Sequence, residues 1–172
     1  DRKILLGFLA IHNYIDLHNG KYPSPSDANE VLSIANKINS SINLASDVEE
    51  NIINLLVRQY GAVISPMASI FGGIVGQEVL KSLSGKFLPI VQFFALSYIE
   101  ALPPDTTYTL KNDRYDNYRI VFGDAQHERM TSLKYFMIGA GAIGCEILKN
   151  WAMVGVATQK DGLITVTDID RI

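Results

Sequence analysis

One stretch of the sequence, between residues 134 and 168, restricts the fold more than any other. Five residues of strand character, KYFMI, lead into a loop with glycines at positions 139, 141 and 144. An apolar helical pattern then continues to about Val154, and a second strand-like run, LITVT, ends just before Asp168. A strand, a glycine loop, a helix and a second strand in this order predict a βαβ unit with a parallel sheet.

Each glycine of this loop has its own physical reason. Gly139 permits the tight turn out of the strand, Gly141 leaves room for a phosphate at the backbone, and Gly144 lets the helix approach the sheet. The start of the helix then offers free N–H groups to an anion. At the end of the next strand, Asp168 is placed to accept hydrogen bonds from ribose hydroxyls. The motif predicts a nucleotide site, and by itself it fits both ATP and NAD.

A second acid, Asp170, follows two residues after Asp168. A carboxylate at this distance could face phosphate-bound Mg²⁺, either directly or through a water molecule. A solvated acid in a surface loop explains Asp170 equally well. The residues alone therefore leave the metal site open.

Charge and cysteine content exclude several classes of protein. The 172 residues carry 15 basic and 18 acidic side chains, and a formal net charge of −3 does not fit a basic nucleic-acid binder. The single cysteine, Cys145, excludes a disulfide scaffold and a cysteine-rich zinc site. We interpret Cys145 as a small buried packing residue, because no partner base for catalysis is apparent. His12, His18 and His127 are interpreted as ordinary core or surface residues, since their spacing does not suit a shared metal.

The first third of the chain has helical patterns separated by short loops. These patterns predict a small helical bundle over residues 1–62. An uncharged run follows at positions 59–77 and is long enough to span a bilayer. Its proline and serines favour a buried helix from Pro66 to about Leu83 instead. We expect this helix to be covered by a partner half of a larger protein that this chain lacks.

Two further stretches have strand character. The run FLPIVQFFALSYIE is rich in aromatic and β-branched residues and predicts one or two strands. Residues 118–122 predict another strand, and residues 105–112 read as a linker between two units.

Three stretches of the sequence resemble one known enzyme family. YFMIGAGAIGCEILKNWAMVGV with ITVTDID resembles the start of the active adenylation domain of ubiquitin-activating enzymes, and NDRYD with IVFG resembles the segment that leads into it. SPMASIFGGIVGQEVLKSLSGKFLPI resembles the end of the inactive adenylation half, and the bundle is loosely similar to the one inserted there. Both halves on one chain resemble the single-chain enzymes that activate ubiquitin.

The resemblance implies an incomplete α/β fold, in which a helical-bundle segment is joined to Rossmann-like adenylation units with a parallel sheet. It divides the chain into a helical bundle at 1–62, the end of the inactive half at 63–104, a linker at 105–112 and the start of the active domain at 113–172. Beyond Asp116 the family usually has Gly-Gln, whereas this chain has Asn117-Tyr118. Arg114 is given a structural role.

The resemblance also implies a reaction. Such an enzyme uses Mg²⁺ and ATP to adenylate the C-terminus of ubiquitin, transfers the acyl group to a cysteine thiol, and passes it to a conjugating enzyme. The implied partners are ubiquitin, the conjugating enzyme and the remainder of the same polypeptide, without nucleic acid or membrane. The implied location is cytoplasmic and nuclear.

By position, the resemblance implies that the loop residues Gly139, Gly141, Ala142 and Gly144 lie against the nucleotide. Asp168 would hold the ribose, and Asp170 would lie near the phosphates and Mg²⁺, reached through water. No catalytic residue is assigned within the chain, which alone is expected to be inactive. The alternatives are an NAD-dependent Rossmann oxidoreductase and a non-catalytic scaffold with the adenylation fold.

Overall fold

The structure, a computed structural model, describes residues 2–103 and 107–169. These residues form seven α-helices, two β-strands and two short 3₁₀ turns. The helices are α1 (Arg2–Leu17), α2 (Ala28–Ile42), α3 (Glu50–Gln59), α4 (Ser65–Ser84), α5 (Asp116–Phe122), α6 (Asp124–Ser132) and α7 (Ala142–Val154). The strands are β1 (Lys134–Ile138) and β2 (Leu163–Thr167). Within the described ranges, no helix combines the length and the hydropathy that a membrane crossing requires.

The chain divides into two compact units, and each is described by itself. The first consists of residues 1–61 together with 92–97, and the second of residues 62–91 together with 98–172. The division of the sequence into four segments at 62, 104 and 112 stays a prediction.

The first unit is built on α1, α2 and α3, which pack against one another. The three helices are amphipathic, and their apolar stripes meet in one core because that removes the stripes from water. The buried residues of this core are Leu6, Ala10, Ile11, Tyr14, Val31, Ile34, Ala35, Ala45, Ile53 and Val57. Lys3 forms ion pairs with Asp47 and Glu49 near the start of α3.

The second unit contains the parallel pair that the glycine-loop stretch predicts. β1 and β2 are parallel and joined through α7, and Lys134 lies opposite Leu163 while Ile138 lies opposite Thr167. The described part is mostly helical with this two-stranded parallel sheet, which agrees with the partial α/β fold that the resemblance implies. Its Rossmann-like character stays a prediction.

The strand predicted at residues 118–122 is wrong, because these residues belong to helix α5. Polar contacts within this short stretch favour the helix. Arg119 forms ion pairs with Asp116, one turn earlier, and with Asp113. Tyr118 and Val121, three residues apart, face the core together. A short apolar run cannot be assigned to strand or helix by its pattern alone, and here local ion pairs decide it.

The strands predicted in FLPIVQFFALSYIE are also absent from the structure. Residues 86–98 have no regular secondary structure, and within the described ranges the only ladder joins β1 to β2. A strand needs the backbone groups of a neighbouring strand, so its propensity alone does not produce one. The backbone N–H of Ile90 instead donates to the Glu78 carboxylate at 2.7 Å.

Helix α4 is mostly exposed within this chain, and its expected burial against a partner half of a larger protein stays a prediction. The helix forms where predicted and ends at Gly85, but Ser65 is its one buried residue. Large apolar side chains along its length are exposed, namely Ile70, Phe71, Val75, Val79, Leu80 and Leu83. The contact of α4 with the rest of its unit includes α7, where Ser69 donates to the Asn150 side chain at 3.4 Å.

The start of α4 is fixed to α5 by buried polar contacts. The Tyr118 hydroxyl accepts a hydrogen bond from the backbone N–H of Ser65 at 3.2 Å and donates one to its side-chain oxygen at 3.1 Å. Beside it, the Asn117 amide donates to the carbonyl of Val63 at 3.1 Å. Ile64 and Tyr118 share one core with Val121, Val154 and Val156.

This contact predicts that Tyr118→Phe lowers the free energy of unfolding of the second unit by about 1–2 kcal/mol, because the buried groups of Ser65 lose their partner. Urea unfolding followed by fluorescence of Trp151, the single tryptophan, measures the change. The matched control is Tyr98→Phe, because Tyr98 is half exposed. Equal losses in both variants would contradict the prediction.

Candidate functional site

The parallel pairing brings the glycine loop and Asp168 to the same edge of the sheet. Gly139 follows β1 and Asp168 follows β2, and the last residues of the two strands lie opposite each other. The backbone N–H of Gly139 donates to the carbonyl of Thr167 at 2.8 Å. One residue later, the N–H of Ala140 donates to the Asp168 carboxylate at 2.5 Å. The two predicted parts of the site, 28 residues apart in sequence, are therefore in contact.

The three glycines of the loop differ in their surroundings. Gly139 has a φ of +91°, in the region that favours glycine, where the chain turns out of β1. A Cβ at Gly144 would overlap the carbonyl oxygen of Gly139, so the helix can approach the loop only without a side chain there. At Gly141 an added Cβ would meet no described atom within 4 Å, which leaves space beside the backbone.

Helix α7 begins at this open space. Gly141 is its N-cap, and the first helical hydrogen bond runs from the N–H of Cys145 to the carbonyl of Gly141 at 2.9 Å. The N–H groups of the first turn, at Ala142, Ile143 and Gly144, lie ahead of this bond and have no acceptor within the helix. Together with the helix dipole they favour an anion at this end of α7.

The interpretation of Cys145 as a buried packing residue is wrong, because its side chain is exposed. It lies in the first turn of α7, where the sulfur is 2.9 Å from the carbonyl oxygen of Ala140. The thiol is therefore a hydrogen-bond donor to the glycine loop, which spacing along the sequence did not indicate.

The apolar face predicted for α7 is buried only at its C-terminal end. Val154 is buried and Trp151 is half-buried against Tyr135, with ring centroids 4.6 Å apart. Ile143 is 78% exposed and Ile147 39% exposed. The half of α7 nearest to the glycine loop thus presents apolar side chains at the surface.

Asp170 lies outside the described residues, so its predicted role toward Mg²⁺ stays a prediction. In the part of the chain that the structure describes, no group of three or more histidine, cysteine or carboxylate side chains could hold a metal ion. The carboxylate that the structure does place beside the loop is Asp168.

Beneath α7 lies a charged cluster that sequence reasoning missed. Arg119 is 4% exposed and forms ion pairs with Asp113, at 2.6 Å, and Asp116. The Arg119 guanidinium lowers the pKa of Asp113 from 3.8 to about 2. Arg114 donates to the carbonyl of Ala152 at 3.4 Å, a contact of the kind its structural interpretation anticipates. The only sequence signal for the cluster is the spacing of its opposite charges over six residues.

His127 is buried beside this cluster. Its ring lies 5.5 Å from that of Tyr115, and it forms a hydrogen bond with the backbone of Val154. Its Nε2 atom is buried and meets no hydrogen-bond partner within the described ranges. Burial, and secondarily the positive charge of Arg119, hold the pKa of His127 below its ordinary value of 6.5.

Comparisons with known proteins show what the chain is similar to. Residues 115–172, which include the loop and the acid, match the ThiF family. The whole chain is 39% identical, over 97% of its length, to "Ubiquitin-activating enzyme E1 1" of Schizosaccharomyces pombe. It is 42% identical over 89% of its length to "Ubiquitin-activating enzyme E1 2" of Arabidopsis thaliana, and 37% identical over 97% to the human "Ubiquitin-like modifier-activating enzyme 1".

Over nearly its whole length, the chain is therefore similar to one part of these ubiquitin-activating enzymes. It spans 15 to 17% of the length of these three relatives.

The surroundings of the glycines predict that two similar substitutions lower the free energy of unfolding by different amounts. Gly144→Ala is expected to lower the free energy of unfolding of the second unit by about 1–3 kcal/mol, because the new methyl group overlaps the Gly139 carbonyl. Gly141→Ala is the matched control and is expected to lower it by no more than about 1 kcal/mol, because the new methyl group meets no described atom and only the N-cap preference for Gly is lost. Urea unfolding with Trp151 fluorescence compares them, and an equal effect of both would contradict the packing role of Gly144.

The position of His127 predicts a pH-dependent stability. Because its pKa is lower in the folded state than its ordinary 6.5, the unfolded chain binds the proton more tightly. The contribution of His127 to the free energy of unfolding is therefore fully present above pH 6.5, and it is lost as the pH falls below 6.5. His127→Gln is expected to flatten the decline in stability of the second unit between pH 7 and pH 5, measured by urea unfolding at each pH. An equally steep decline in both proteins would contradict this.

Proposed function

We propose that this chain forms the glycine-loop side of the ATP site in an enzyme that activates ubiquitin. The observation that carries the proposal is the contact between the Asp168 carboxylate and the Ala140 N–H, beside the free start of α7. An acid and a helix start at the carboxyl edge of a parallel pair are the groups that a ribose and a phosphate require. The family of the relatives supplies the reaction in which such a site takes part.

The residues present fit a nucleotide. Space beside Gly141 admits a phosphate to the backbone, and the first-turn amides at Ala142 and Gly144 would donate hydrogen bonds to its oxygens. Gly139 and Gly144 keep the turn tight enough for this approach. Asp168 would accept hydrogen bonds from the ribose hydroxyls. The loop and the acid therefore bind and orient, and they take no part in covalent chemistry.

The proposed reaction begins with the adenylation of ubiquitin. When bound, ATP supplies the α-phosphate that the C-terminal carboxylate of ubiquitin attacks, with pyrophosphate leaving. The contribution of this chain is to hold one reactant in line and to stabilise negative charge at the start of α7. Transfer to a cysteine thiol and then to a conjugating enzyme would use parts of the polypeptide outside this chain. Asp170 near Mg²⁺, and the cytoplasmic and nuclear location, stay predictions.

The proposal predicts the effect of Asp168→Ala in the full-length protein. The variant should raise the apparent KM for ATP at least tenfold in ubiquitin-dependent exchange of pyrophosphate into ATP. The physical reason is that charged hydrogen bonds to the ribose, worth about 1.5–3 kcal/mol each, are lost.

The matched control for this assay is Asp161→Ala, which removes an exposed acid from the opposite end of β2. Its KM for ATP should equal that of the wild-type protein. The 172-residue chain alone should show no exchange, since it lacks the remaining groups of the site. An unchanged KM for ATP in Asp168→Ala would remove Asp168 from the nucleotide site. Binding of NADH by the full-length protein, without any ubiquitin-dependent exchange, would favour the dehydrogenase alternative.

A further inference from the structure

The peptide groups of Ala140 are held by two side chains from other parts of the second unit. The Asp168 carboxylate accepts from its N–H, and the Cys145 thiol donates to its carbonyl oxygen at 2.9 Å. Ala140 lies between the two glycines where the chain leaves β1 and enters α7. The orientation of its peptide groups therefore sets the path of the whole loop.

The hydrogen bond to Asp168 lies at the point where the backbone pairing of β1 with β2 ends. The N–H of Gly139 still follows the backbone pattern by donating to the carbonyl of Thr167. At Ala140 the acceptor is the side chain of Asp168 and not a backbone carbonyl. The chain can turn away from the sheet at this point without leaving that N–H unpaired, since a carboxylate is a strong acceptor for it.

The loop and the helix cannot move independently of each other. A Cβ at Gly144 would overlap the Gly139 carbonyl, so the first turn of α7 lies directly against the loop. The peptide unit between Gly139 and Ala140 carries both the N–H that Asp168 accepts and the carbonyl that faces Gly144, so a rotation of this unit would displace the start of α7. The first-turn amides of α7 would move with it.

We propose that Asp168 is a positioning residue for the glycine loop, in addition to any contact with ribose. Its carboxylate fixes the peptide unit that ends in the Ala140 N–H, and this sets the orientation of the first-turn amides of α7. The positioning role stands on the geometry of the loop alone. Its consequence for ATP rests on the function proposed above, because one carboxylate would then serve both the loop and the ribose. Loss of Asp168 would weaken binding of the phosphates as well as of the sugar.

The test measures amide hydrogen exchange at Ala140 by NMR in the 172-residue chain without nucleotide. Wild type is compared with Asp168→Ala, Asp168→Asn and Asp161→Ala. We expect exchange at Ala140 to become at least tenfold faster in Asp168→Ala. Asp168→Asn should retain most of the protection, because its side-chain oxygen still accepts a hydrogen bond there, and Asp161→Ala should match the wild type.

The amides of the β1 ladder serve as an internal reference for folding. They should exchange equally in all four proteins, so that a change at Ala140 reports the local contact and not general unfolding. Equal exchange at Ala140 in wild type and Asp168→Ala would overturn the positioning role, and so would exchange in Asp168→Asn as fast as in Asp168→Ala.

Failure of this inference is distinguishable from failure of the proposed function. If the KM for ATP of the full-length protein does not depend on Asp168 but Ala140 exchange does, the nucleotide proposal fails and the positioning role stands. If the KM depends on Asp168 but Ala140 exchange does not, Asp168 contacts the ribose only and the positioning role is overturned.

Discussion

The in-register pairing of β1 with β2 is the interaction on which the rest of the site depends. Because Ile138 lies opposite Thr167, the residues that follow each strand meet at one edge of the sheet. This places the turn at Gly139 beside Asp168, and α7 begins shortly after that turn, at Ala142. A shift of the register by one residue would move Asp168 to the other face and separate it from the loop.

The sequence predicts this part of the molecule closely, because its signals are local and agree with one another. The strands, the glycine turn and the end of α7 near Val154 occur where the pattern indicates. The glycines at 139 and 144 have the conformation and the close approach that the motif requires. What the pattern could not supply is the hydrogen bond between Ala140 and Asp168, which exists only once the strands are paired.

The predictions that fail have two causes, namely contacts with distant neighbours and local polar contacts that the pattern does not reveal. Residues 86–98 have strand propensity, but within the described ranges no other strand pairs with them. The apolar α4 forms where the pattern predicts it and is mostly exposed within this chain, since propensity and pattern do not say what covers a helix. At residues 118–122 the ion pairs of Arg119 outweigh strand propensity and produce a helix. Cys145 is exposed and donates to the carbonyl of Ala140, five residues earlier, which is a local contact that spacing along the sequence does not reveal.

The proposed function requires the glycine loop and Asp168 to bind the nucleotide of a ubiquitin-activating enzyme together. The most direct measurement is a crystal structure of the full-length protein with ATP bound. We predict a ribose hydroxyl within hydrogen-bond distance of the Asp168 carboxylate, about 2.5–3.0 Å, and phosphate oxygens facing the first-turn amides of α7. A well-ordered ATP molecule whose ribose lies away from Asp168 would contradict the account.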